Sequence, residues 1–168
     1  SRDLHPDPAT GAPSPCPRVA RTTGDESYAG SSSYFRLEAV VKGITGYQYV
    51  MPAHQGRGAE QVVIPEMIAH PGMVFISNTH FDTTRAHVEI AGARAVDTAI
   101  DACFDTAHYH PFKGNFDLVK LEREIRAHGP QNVAGIIVTV TNNAVGGQPV
   151  SMENIRAVRA IANKYGIK

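Results

Sequence analysis

Residues 133–168 read "VAGIIVTVTNNAVGGQPVSMENIRAVRAIANKYGIK". The first nine are small or β-branched and apolar on both faces, as in a parallel strand covered by helices on either side. A polar, glycine-rich break follows at 142–150. Ser151 then stands as a helix N-cap with Pro149 just before it, a helical pattern runs over 152–165, and Gly166 stops it. Ile167 opens what reads as a further strand. The α/β unit is thus left open at Lys168, and the sheet is expected to continue past it, so the chain reads as a truncated piece.

Working back from this unit, the same alternation recurs. "DLVKLEREIRAHG" (117–129) places Leu118, Leu121 and Ile125 on one helical face with Gly129 as stop. "RAVDTAI" (94–100) reads as a short strand, 82–91 as a helix and "GMVFIS" (72–77) as a buried strand. A helix over 58–69 is kinked or ended by Pro65. A strand is expected at 47–52, and "YFRLEAVVKGI" from Tyr34 forms an amphipathic helix closed by Gly46. The succession predicts an α/β fold with a largely parallel sheet. Residues 1–22 hold five of the eleven prolines without periodicity and read as a flexible leader.

Bulk properties narrow the function. In 168 residues, sixteen basic side chains balance sixteen acidic ones. No electrostatic footprint therefore points to nucleic acid or an anionic membrane. No apolar stretch reaches the roughly 18 residues needed to cross a bilayer, and the N-terminus lacks the order of a secretory signal. Cys16 and Cys103 do not form a disulfide framework, which suits a cytoplasmic protein.

Several polar clusters fall near expected strand ends. "VMPAHQGRGAEQ" (50–61) sets Gly56 and Gly58 around Arg57 before a helix. There, free backbone N–H groups and a guanidinium could cradle an anion, or the glycines could simply make a turn. The segment is neither a dinucleotide fingerprint nor a P-loop. "HFDTTRAH" (80–87) puts Phe81 and Asp82 after a strand; an N-capping role is the plain alternative for Asp82. Asn142 and Asn143 follow the strongest strand, where turn asparagines are common. The strand ends at 52, 77 and 141 are expected on one edge, where open α/β sheets bind ligands. "GDESYAG" (24–30) groups Asp25, Glu26 and Tyr28, either for a cation or as a solvated turn. "HYH" (108–110) with Cys103 matches no standard zinc spacing.

Taken in order, "GDESYAG", "YVMPAHQGRGAEQ", "FDTTR" (81–85), "PFKGNFDL" (111–118) and "TNNAVGGQPVSMENIRAVRAIANKYGIK" (141–168) resemble the β-eliminating lyases. These are pyridoxal 5'-phosphate (PLP) enzymes of the aspartate aminotransferase fold, among them tryptophanases and tyrosine phenol-lyases. The resemblance runs from about residue 23 to 168 and implies a partial PLP-binding large domain. It implies that Gln55, Gly56 and Arg57 hold the cofactor phosphate, that Phe81 lies against the pyridine ring and that Asn143 bonds its phenolic oxygen. Glu26 matches a ligand of an activating potassium ion. Tyr28 matches a tyrosine that serves proton transfer in a neighbouring subunit, which implies a homo-oligomer, a tetramer in the family. Asp82 favours L-tryptophan, cleaved to indole, pyruvate and ammonia, over tyrosine.

The same resemblance marks what is absent. The family's Schiff-base lysine stands in a Ser-x-Lys-Lys context, and Lys42, Lys113, Lys120, Lys164 and Lys168 do not. The isolated chain is therefore expected to be inactive. A non-catalytic remnant that serves as an oligomerisation partner is the reading from a different class.

Overall fold

The computed structural model describes residues 31–168. The chain divides into two compact units, Ser1–Pro52 and Ala53–Lys168. In the first, helix α1 spans Ser32–Thr45. Ser31 caps it by accepting the Tyr34 N–H, and Gly46 ends it at φ 72°, donating to the Lys42 carbonyl. This left-handed cap is the conformation glycine adopts without penalty. The strand expected at 47–52 does not form: these residues are irregular, and among the described residues no strand pairs with them. Alternating tyrosines satisfy the strand pattern locally, but a strand needs a neighbour to take its backbone hydrogen bonds.

The second unit holds helix α2 (Gly56–Glu66), strand β1 (Val74–Ser77), helix α3 (Asp82–Ile90) and strand β2 (Arg94–Asp97). Helix α4 (Leu118–His128), strand β3 (Val133–Ile137) and helix α5 (Met152–Tyr165) complete it. The three strands form a parallel sheet in the order β2-β1-β3. Alternation along β1 divides the core in two. Val74 and Ile76 pack with Phe116, Leu121, Ile125, Val133 and Val158 on the α4/α5 face. Met73 and Phe75 pack with Ile64, Val88 and Ala134 on the α2/α3 face. All four β1 residues are buried, as a central parallel strand covered on both sides requires.

Three boundaries differ from the sequence expectation. Helix α2 starts at Gly56 rather than 58, so the Gly-Arg-Gly segment is its first turn; Pro65 sits in its last turn, near the end at Glu66. Strand β3 stops at Ile137, and its expected last residues become the approach to a loop. Phe81, not Asp82, is the N-cap of α3. At the far end, Gly166 takes φ 67° and the Ile136 N–H donates to the Lys168 carbonyl, so the chain has returned beside β3.

Candidate active site at the carboxyl edge of the sheet

β1 has β2 on one side and β3 on the other, and the connections diverge. The chain leaves β1 for α3 on one face of the sheet and leaves β3 for α5 on the other. Such a divergence opens a crevice at the carboxyl ends of adjacent strands, where open α/β sheets place ligands. The apolar run of β1 ends there in a buried polar one: Ser77, Asn78, Thr79 and His80 are all at most 5% exposed.

Each of these residues has a structural partner, although the buried His80 Nε2 itself meets no hydrogen-bonding group. The Asn78 side chain donates to the carbonyls of Gly114 (2.8 Å) and Thr139 (3.0 Å) and accepts the Thr139 N–H (2.9 Å). The Thr79 hydroxyl donates to the Asn142 side chain, joining the turn after β1 to the loop after β3. On the other flank, Asp97 at the end of β2 accepts the His80 N–H at 2.9 Å and its Nδ1 at 2.6 Å. Arg85 also donates to Asp97, at 2.5 Å. Burial opposes ionisation of Asp97, but these bonds and charges outweigh it and hold the carboxyl below the usual range.

Two helix N-termini meet beside this crevice. Glu60 accepts from Thr84 Oγ1 at 2.5 Å and Thr83 Oγ1 at 3.4 Å and lies 3.2 Å from His87 Nδ1. One turn further along each helix, Ile64 and Val88 enter the same core cluster. The constant offset of 24 positions (84 − 60 and 88 − 64) means that α2 and α3 run side by side in the same direction. The beginning of α2, carrying Gln55, Gly56 and Arg57, is thereby brought to the beginning of α3, carrying Phe81 and Asp82.

The start of α2 suits an anion. Its N-cap Gln55 makes no side-chain capping bond, so the first amides are open to another acceptor. Nothing lies within 4 Å of where a Gly56 Cβ would stand, and Arg57 is exposed. Phe81 is partly exposed, Asp82 is exposed with one oxygen accepting the Thr83 N–H at 2.7 Å, and Asn143 is exposed at the loop after β3. A phosphate dianion, a flat ring and a phenolic oxygen find chemically fitting partners in this set. Glu26 and Tyr28 lie outside the described residues. Among the described residues, no group of three or more His, Cys, Asp or Glu side chains could hold a metal ion.

Sequence reasoning missed the residues that frame the site. Glu60, Asn78, Thr79, His80 and Asp97 were legible only as polar positions at strand and helix ends. The signal available was "SNTH", a polar run directly after a fully apolar strand.

An open parallel sheet with a switch point is common to many α/β proteins, and solved structures show which of them this chain resembles in fold. A PLP-bound C-S lyase from Staphylococcus hominis superposes with TM-score 0.63 at 11% identity, over 90% of this chain and 37% of that one. A chain of a SepCysS–SepCysE N-terminal domain complex gives 0.66 at 14%, over 89% of this chain and 38% of that one. The beta-eliminating lyase profile matches residues 3–168, and the chain belongs to that family. It is 48% identical over 174 aligned positions to a tryptophanase of Haemophilus influenzae and 47% identical to one of Escherichia coli. Each alignment takes in 98% of this chain and 37% of the relative, so the chain spans little more than a third of the tryptophanases that it matches.

Proposed function

We propose that these residues form the phosphate-side part of a PLP-dependent lyase that eliminates the β-substituent of an aromatic amino acid, L-tryptophan above all. The observation that carries this is the shared N-terminal edge of α2 and α3 in a chain 47–48% identical to tryptophanases. Gln55, Gly56 and Arg57 would hold the cofactor phosphate through backbone amides and the guanidinium. Phe81 would support one face of the ring, and the Asn143 amide would donate to its phenolic oxygen. PLP, when bound, supplies the electron sink on which elimination to pyruvate and ammonia depends.

The remaining roles belong to the chain's own side chains. Asp82 presents an acceptor at the first turn of α3, suited to orienting an indole N–H. Tyr28 from a neighbouring subunit of a homotetramer would move the proton to the leaving ring, and Glu26 would bind potassium. None of the lysines is assigned to bonding the cofactor. Lys42 pairs with Glu38, Lys120 with Asp101 and Lys164 with Glu122, while Lys113 donates to the Asp105 carbonyl. We place the protein in the cytoplasm.

The experiment is a side-by-side assay of the full-length protein with tryptophan and tyrosine, with and without PLP. Indole release that requires PLP supports the proposal. Phenol release alone would move the assignment to a tyrosine lyase, and no turnover of either would overturn the enzymatic reading.

A further inference from the structure

Phe81 and Asp82 are held by a device that their proposed roles do not explain. They occupy the two positions between the buried end of β1 and the body of α3, where a turn could pivot. Asp97 closes that pivot from both directions. Before Phe81, its Oδ1 accepts the His80 backbone N–H at 2.9 Å and the His80 ring Nδ1 at 2.6 Å. After Asp82, its Oδ2 accepts from Arg85 at 2.5 Å, and the Arg85 N–H returns to the Phe81 carbonyl at 2.8 Å. The His80 side chain is wholly buried, whereas Arg85 keeps 39% exposure. One oxygen is thus anchored in the core and the other at the surface, with Phe81 and Asp82 spanned between them. β2 pairs with β1 in register, Ser77 opposite Asp97, so the clamp is fixed to the sheet and not to a loop.

We propose that Asp97 is a positioning residue, whose grip on His80 and Arg85 fixes the orientation of Phe81 and Asp82 toward the cofactor ring and the substrate. This rests on the PLP assignment made above. Both oxygens of the carboxylate are engaged by His80 and Arg85. Its action is to remove the freedom of a two-residue pivot, and misplacement of a reacting group by about 1 Å can cost on the order of 100-fold in rate. The phosphate end is carried by α2, which Glu60 ties to Thr83 and Thr84 and not to Asp97.

The test compares wild type, Asp97→Ala, Asp97→Glu and Arg85→Ala in the full-length protein. In the absence of PLP, hydrogen exchange of the amides at 80–85 is expected to accelerate about tenfold in Asp97→Ala. With PLP at equal occupancy, kcat for tryptophan is expected to fall about 10- to 100-fold while cofactor affinity changes less than about threefold. The visible circular dichroism of the bound cofactor is expected to weaken with kcat, and Asp97→Glu is expected to recover part of both. Arg85→Ala, at the half-exposed end, keeps the buried anchor and decides the matter if Asp97→Ala does not fold; it is expected to show a smaller loss of the same kind. Unchanged exchange, or unchanged kcat and dichroism at equal occupancy, would overturn the proposal. A wild type that binds no PLP would overturn the cofactor assignment instead, and the exchange measurement would still judge the clamp.

Discussion

Glu60 Oε1 lies 2.5 Å from Thr84 Oγ1, and this bond joins the two helix N-termini of the site. Replacing Glu60 by alanine removes the acceptor for two threonine hydroxyls and the partner of His87. The expected loss of stability is about 1–2 kcal/mol, with Glu60→Gln losing less because its carbonyl still accepts. Chemical denaturation of the variants checks the order. Equal losses for both would show that the His87 contact, not the threonine bonds, carries the tie.

Asn78 is a structural knot with no solvent exposure. Asn78→Ala leaves the Thr139 N–H and the Gly114 and Thr139 carbonyls without their partner, at an expected cost of about 2–4 kcal/mol. Asn78→Asp keeps the acceptor but loses both donors and is expected to fall in the same range. Thermal melting distinguishes this from a surface asparagine, whose replacement would shift the midpoint little.

Gly114 is required by close packing rather than by its own dihedral angles. A Cβ there would stand 2.5 Å from the Gln148 carbonyl oxygen and 2.9 Å from that of Pro149. Both obstacles are backbone, held by the Gly114 N–H to Pro149 and by Asn115 and Asn154 bonding across to Ser151 and Phe116. Gly114→Ala is expected to destabilise by about 1–3 kcal/mol, whereas Gly72→Ala, with open space but φ 86°, pays only for its backbone conformation. Denaturation midpoints of the two variants test the difference.

Acid should weaken the clamp around Phe81. The Asp97 carboxyl titrates below its ordinary value in the folded chain because His80 and Arg85 favour the charged form despite burial. A depressed folded pKa contributes stability that is present above the unfolded value and is lost as pH falls through the folded one. Stability is therefore expected to drop below about pH 4, and the drop should be shallower in Asp97→Asn. Parallel acid curves for the two proteins would contradict this.

The layout of the sheet was legible because its signals are local. The apolar run at 72–77 and the β-branched run after Val133 announce strands, and Ser151 with Gly166 brackets a helix by capping chemistry. The strand at 47–52 was not legible as irregular, since alternation says nothing about whether a neighbouring strand exists. Likewise Phe81 rather than Asp82 caps α3, because the Asp82 carboxylate satisfies the Thr83 amide from inside the first turn. The segments around Gln55, Phe81 and Asn143 could be singled out by composition and resemblance. Their juxtaposition could not, because it depends on Glu60 and Thr79 reaching residues 24 and 63 positions away.

The most direct test of the PLP site is a titration of the full-length protein with PLP, compared with its Arg57→Ala variant. A charge-assisted bond to phosphate is worth about 1.5–3 kcal/mol, so the variant should bind PLP about 10- to 100-fold more weakly while melting at an unchanged temperature without the cofactor. Equal PLP affinity for the two proteins would contradict the assignment of the α2 N-terminus as the phosphate cradle.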